Sequence, residues 1–253
     1  MAYRRLSCYR VRNMSAKRSC VQSLQRREPV QACVVRRAVD LVRRDGVVSV
    51  ALDLLQRHVI DWRCYYLYEL RLADYTDLET ASIPDGYDEC LVDSNEAADL
   101  AIGDRCDFRQ VMPWTRRALA CGAIVLCLYH GREVAHVGSA AISPEARLRV
   151  DGLPFEVRFE GGEALLGAAY TMPRFRNFGL LTGSSLRRFD HLRGKGFHTC
   201  KVAVLTGNPA SNRVQLRLRA RVYAIGRVHK LFGWQRWSER PPTAQELELW
   251  ARG

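Results

Sequence analysis

No stretch of this sequence approaches the roughly 20 uninterrupted apolar residues that a membrane-spanning helix needs, because Arg, Asp or Lys breaks every long hydrophobic run. A spanning helix is not expected. Close cysteine pairs are missing as well. Nine cysteines stand at Cys8, Cys20, Cys33, Cys64, Cys90, Cys106, Cys121, Cys127 and Cys200, none of them in C-x-x-C spacing, which removes the zinc-ribbon and thioredoxin-type motifs. Odd in number and scattered through apolar runs, they read as reduced, buried thiols of a cytoplasmic protein. There is no H-E-x-x-H, no G-x-S-x-G and no G-x-x-x-x-G-K-[ST], so zincin, α/β-hydrolase and P-loop chemistries lack their residues. His58, His136, His191, His198 and His229 stand singly, as structural histidines do, and no metal site is expected. Acidic residues are absent from the first 27 positions. That segment is rich in Arg and Ser and lacks the apolar h-region of an export signal, so residues 1–30 read as a basic, disordered tail.

What is present describes a globular chain. Of its 253 residues 47% are hydrophobic and 26% charged, enough to bury a core within one domain and an accessory piece. The net charge of +12 attracts anions. Much of the excess lies between Arg4 and Arg44, with a second cluster from Arg213 to Arg227. Neither cluster has the interleaved aromatics of a base-stacking platform, so an anionic cofactor or a solvated face is favoured over nucleic acid. Peripheral contact with a membrane stays open through the amphipathic run Cys33 to Arg44.

Periodicity orders the rest. Val34, Val35, Ala38, Leu41 and Val42, then Ala51, Leu52, Leu55, Val59 and Trp62, recur at helical spacing and make residues 31–61 a helical extension. From Trp62 to Leu72 the period drops to two, a strand. A strand near Tyr87 to Val92 is followed by helices over Ser94–Ile102 and Phe108–Cys121, the second interrupted at Pro113. A hairpin over Ala123–Tyr129 and Glu133–Ile142 comes next, then strands Val150–Phe159 and Ala164–Thr171 around the turn at Gly161 and Gly162. The last third alternates: helix Gly179–Arg193, strand His198–Leu205, helix Pro209–Ala220, strand Val222–Phe232. That is an α/β order. Tyr65, Tyr66 and Tyr68 read as a packed strand rather than an acceptor pocket.

Chemistry concentrates in the run Ala169-Tyr170-Thr171-Met172-Pro173-Arg174-Phe175-Arg176-Asn177-Phe178-Gly179-Leu180-Leu181: a strand, a basic turn and a helix start. A helix N-terminus offers unpaired N–H groups and partial positive charge to an anion, and Gly179 lets a phosphate approach the backbone. Arg193-Gly194-Lys195-Gly196 has similar letters but follows a helix and precedes a strand, so its glycines end a helix instead. Downstream, Asn208-Pro209 is a cap followed by Pro at the first helical position.

These segments resemble the GNAT superfamily of N-acetyltransferases, in which a strand, V-x-P and R-x-x-G-x-G/A at a helix start cradle the pyrophosphate of acetyl-CoA. Thr171-Met172-Pro173 stands at the V-x-P place, and Arg176, Gly179 and Leu181 at the signature positions, Leu181 departing from Gly or Ala. Asn208 and Ser211 match the family's N-x-x-A/S element, whose Asn contacts the pantetheine arm. The stretch Arg221 to Trp234, with a turn at Gly226 and a strand ending at Gly233, resembles its closing strands, although Arg219 and Ala220 replace the usual Gly-Phe. The resemblance is specific over about 164–234 and topological over about 87–159.

It implies a GNAT fold: a mixed central β-sheet with splayed parallel strands flanked by helices, behind an N-terminal helical extension. The transferase domain would be 62–238, with a C-terminal tail over 239–253. It implies an acyltransferase moving an acetyl or other acyl group from acetyl-CoA to an amine of a small molecule or peptide, or a GNAT-fold CoA-binding module without catalysis. The cofactor set carried over is Ala169, Tyr170, Thr171, Arg174, Arg176, Asn177, Phe178, Gly179, Leu180, Leu181, Thr182, Asn208 and Ser211. Glu163 is the first candidate base. The family's usual tyrosine acid falls on Gln215, which makes Tyr223 the substitute candidate acid.

Overall fold

The two-residue alternation after Trp62 builds β1 (Ile60–Arg71), and both of its faces are apolar because both are covered. Tyr65 and Leu67 enter one core, and Tyr68, Leu70 and Leu72 enter another. A strand buried on both faces belongs inside a sheet with helices on each side. In this computed structural model residues 60–75, 83–231 and 234–252 are described. The expected tail, the helical patterns before Ile60, and Gly233 lie outside them.

Seven more strands complete one sheet: β2 (Tyr87–Val92), β3 (Ile124–His130), β4 (Glu133–Ala141), β5 (Glu163–Thr171), β6 (Thr199–Leu205), β7 (Arg221–Leu231) and β8 (Trp234–Arg240). Their order is β2-β3-β4-β5-β6-β1-β7-β8. β5 and β6 run parallel and pair only from Glu163–Leu165 to Thr199–Lys201. The neighbouring pairs β4–β5 and β6–β1 are antiparallel. Beyond Leu165 the two central strands part.

Helices α1 (Asn95–Ile102), α2 (Phe108–Val111), α3 (Trp114–Leu119), α4 (Pro144–Val150), α5 (Leu180–Gly194), α6 (Pro209–Arg217) and α7 (Ala244–Arg252) flank the sheet. Local chemistry starts them. Ser94 Oγ accepts from Ala97 N at 3.1 Å and Ser143 Oγ from Ala146 N at 3.2 Å, each filling a first-turn donor. Leu186, Phe189 and Leu192 of α5 pack into the core with Tyr68 and Leu70, while Ala146 and Val150 of α4 share the other core with Tyr65 and Leu67. α7 is tied to β1: Trp250 Nε1 donates to Tyr68 Oη at 2.7 Å, and Tyr68 Oη donates to Asn212 Oδ1 at 2.9 Å.

Three expectations need correction. Residues 150–159 do not form a strand: Ser143-Pro144 starts α4, which runs to Val150, and an irregular segment follows to a short 3-10 turn at Phe159–Gly161. Pro154 lacks the N–H a ladder needs. Gly226 is no turn but a mid-strand residue of β7, where a Cβ would lie 2.3 Å from Trp237 Cη2 on β8. Residues 239–253, set apart as a tail, contain the end of β8 and α7.

Candidate active site

The parting of β5 from β6 has a local cause. Gly138 pairs with Ala169 and Ala140 with Leu166, so Gly167 and Ala168 together face Ser139. This bulge takes an extra residue out of the ladder and bends the strand. Ser139 Oγ donates to Ala168 O at 3.0 Å and fixes the bend. Gly167 has no room for a side chain: a Cβ would stand 1.8 Å from Val150 Cγ1 and 2.8 Å from Val150 O. The end of α4 thus leans on the bulge.

A cleft of about 570 Å³ fills the opening. Gly167, Ala168 and Ala169 form one side, Val202–Leu205 of β6 with Arg63 and Tyr65 of β1 the other, and Asp151–Leu153 a wall. Leu181, Ser185 and Arg188 of α5 meet Asn208, Ser211 and Gln215 of α6 across it.

At the start of α5 the chain makes a 3-10 turn over Pro173–Phe175, then passes through two left-handed residues, Asn177 (φ 70°) and Gly179 (φ 75°). Gly179 is the N-cap and no side chain caps the helix, so its first N–H groups are left for an anion. Leu180, 1% exposed, anchors that turn in the core beside Phe175. On the facing side Asn208 Oδ1 accepts from Ser211 N at 3.2 Å and starts α6. Asn212 Nδ2 donates to Leu205 O at 3.0 Å and Thr206 O at 3.2 Å, holding α6 to the end of β6.

Of the expected cofactor residues, Ala169, Leu181, Asn208 and Ser211 line the cleft. Tyr170, Thr171, Arg174, Arg176, Asn177, Phe178, Gly179, Leu180 and Thr182 do not. Arg174 is ion-paired to Glu133 and stacks on Phe175. Arg176 Nε donates to Thr171 O at 3.3 Å with its guanidinium 5.9 Å from the Tyr170 ring centre. Gly196, in the decoy loop, has φ 87° just past the end of α5, as a helix stop requires.

Both expected catalytic side chains sit elsewhere. Glu163 lies where β5 and β6 are still paired, not in the cleft. Its carboxylate accepts from Arg158 N at 2.8 Å and is ion-paired to Lys201 (2.8 Å) and Arg158 (2.9 Å). Burial alone would raise its pKa, but Lys201 and Arg158 hold it at about 2, too low for a base at neutral pH. Tyr223 is also outside the cleft; its hydroxyl is buried without a partner, and desolvation makes it a weaker acid than an ordinary tyrosine.

The sequence reading missed Gly167, Arg188 and Asp151. Gly167 and Arg188 reach the cleft through a bulge and a buried helix face, which have no short motif. Asp151 falls inside the expected strand 150–159 and instead follows the end of α4. Gln215, singled out only by resemblance, is 6% exposed with Oε1 unpartnered. Burial raises the Asp151 carboxyl against the opposing pull of Leu153 N–H and Arg147. Below the floor, His136 Nδ1 meets Thr171 Oγ1 at 2.8 Å and Nε2 meets Ser184 Oγ at 2.7 Å. Burial, then the Arg188 charge, holds this histidine neutral, at about 3. Among the described residues no His, Cys, Asp and Glu group could hold a metal, and no helix is long and apolar enough to cross a membrane.

No family model matches the sequence, and no curated protein matches it. Many solved structures similar to the chain are GNAT-family N-acetyltransferases. A GNAT-family acetyltransferase from Colwellia psychrerythraea is 12% identical with a TM-score of 0.46, over 74% of this chain and 62% of that one. A GCN5-related N-acetyltransferase from Kribbella flavida is 15% identical with a TM-score of 0.42, over 81% and 66%. A Drosophila protein is 13% identical with a TM-score of 0.47, over 77% of this chain and 58% of its own length. The chain's own mixed sheet, its parallel pair parting after Leu165, and the strand, turn and uncapped helix beside the opening give the described residues the GNAT fold.

Proposed function

We propose that this protein is an acyl-CoA-dependent acyltransferase that moves an acetyl or other acyl group to an amine of a small molecule or peptide. One observation carries the reading: a bulged strand edge and an uncapped helix start converge on the opening between β5 and β6. The residues fit the donor. The first turn of α5 and Arg176 suit phosphate oxygens, and Asn208 and Ser211 suit the amide-bearing arm. When bound, acyl-CoA supplies an activated thioester. Gly167 and Ala168, out of the regular ladder at the bulge, would offer backbone N–H groups to its carbonyl. Asp151, its pKa raised by burial, takes the proton that the ammonium form of the acceptor must lose. The transferase domain in this reading begins at residue 62, and β8 and α7 carry it past the expected end at 238. A reducing, cytoplasmic setting goes with it, supported by the buried free thiols of Cys90, Cys127 and Cys200.

A second reading, a CoA-binding or regulatory module without turnover, is favoured by Gln215 at the place of the family's tyrosine acid. Calorimetry with acetyl-CoA tests the ground common to both: binding is expected, and none at millimolar ligand would sink them. Gly179→Trp, which forces a bulky side chain into a left-handed backbone, should remove that binding. Thiol release across a panel of amines separates the two, since the module predicts binding with none.

A further inference from the structure

Arg188 is a buried cation with no anion beside it. Its side chain, on α5, is among the most completely buried of the large residues, at 1% exposure. Its donors all go to neutral acceptors: Nε to Ser184 O at 3.1 Å, Nη1 to Ser139 O at 2.6 Å, and Nη2 to Ser185 Oγ at 3.2 Å and Ser184 Oγ at 3.4 Å. No ion pair to it exists among the described residues. Burial pushes its pKa down only to about 10, so it remains charged at neutral pH.

An unpaired buried charge destabilises a fold, and under a cleft its field acts on whatever the cleft holds. The guanidinium underlies the cleft, against the bulge at Ser139 and in the same floor as Gln215. Gly138 makes room for it, since a Cβ there would lie 2.9 Å from Arg188 Cζ. Behind it His136 is neutral, and burial keeps the Cys200 thiol protonated, up to about 12. The other titratable groups around the cleft are Asp151 in its wall and Arg63 and Tyr65 on β1.

We propose that Arg188 stabilises the negative charge released on sulfur during acyl transfer, so that coenzyme A departs as a thiolate without a side-chain acid. This rests on the acyltransferase reading. The ammonium form of the acceptor first loses a proton to Asp151, which passes it to solvent; the amine lone pair then forms the N–C bond, the C–S bond breaks with its electron pair kept by sulfur, and the second nitrogen proton leaves to solvent. A field from a fixed guanidinium lowers the need for a proton donor, which accounts for Gln215 at the position where the family has tyrosine.

Coenzyme A itself is the probe, and no acceptor is needed. Full-length protein saturated with CoA is titrated while thiolate absorbance in the ultraviolet is followed. The bound thiol is expected to ionise at about 7.5 or below, at least tenfold more acidic than an ordinary thiol near about 8.5. Arg188→Met should return it to the ordinary value and Arg188→Lys should retain part of the drop. Arg187→Met, next along α5 but paired to Glu89 outside the cleft, should leave it low. Failure of CoA to bind would overturn the acyltransferase reading and this inference with it. CoA that binds with an ordinary thiol pKa, or an Arg187→Met protein in which the drop disappears, would overturn the inference alone. The wild-type and Arg188→Lys titrations decide the matter even if Arg188→Met does not fold.

Discussion

Glu163 shows how a residue's neighbours decide its task. The carboxylate is nearly buried and held by Lys201 and Arg158 where β5 and β6 join. Glu163→Gln should therefore destabilise the protein by about 2 kcal/mol at neutral pH, a figure discounted for the exposure of Arg158. The sign follows from a folded-state pKa lowered to about 2: the stabilisation is present above the unfolded value of about 4.3 and disappears as pH falls toward the folded one. Urea melts of both proteins across that range should converge at the acid end. The sequence could mark Glu163 as a carboxylate near the site but not name its partners, because Lys201 reaches it only through the parallel register of two distant strands. Arg219 is a similar case. It stands where the resemblance expects glycine and nevertheless adopts φ 52°, with Ala220 N bonded to Gln215 O at 2.9 Å, so α6 ends with a glycine-like stop made by an arginine.

At the scale of elements, α4 and the bulge of β5 form one unit. Gly167→Ala would drive a methyl group into Val150, shifting the end of α4 and with it the Asp151–Leu153 wall. Overpacking of this kind costs about 1–3 kcal/mol. A lower denaturation midpoint is expected together with weaker acetyl-CoA binding by calorimetry; unchanged binding would separate the wall from the site. Most elements were legible beforehand, since hairpin, strand and helix periods are local signals. The segment at 150–159 was not. Its apolar Val150, Leu153, Phe155 and Val157 suit a strand, whereas the Ser143 cap and Pro154 decide otherwise, and tertiary packing over Gly167 completes the choice. The uncapped start of α5 was readable because strand, Pro, Arg and Gly stand together. The floor of the cleft was not, because Arg188 lies deep in a helix whose motif is at its other end.

For the whole molecule, charge and topology divide the chain unequally. Residues 1–45 hold twelve of the 39 Lys and Arg and three of the 27 Asp and Glu, a net +9 of the total +12. Deleting them should sharply lower the salt needed to elute the protein from heparin. It should leave CoA affinity unchanged, because the described residues that line the cleft lie between Arg63 and Val228. Undiminished heparin retention would move the polyanion contact to the basic stretch from Arg213 to Arg227. The position of β1 carries a consequence of another kind. Tyr65 pairs with Leu205 and Arg71 with Thr199, so the earliest described strand finds its neighbour only after β6 has been made. Contacts so far apart in sequence slow folding, and on the ribosome this strand waits with both edges unpaired, open to mispairing. Arg63 and Tyr65 can face Val204 and Leu205 only once that wait ends. The cleft is therefore among the later features the chain assembles, and ligand binding reports that β1 has joined β6.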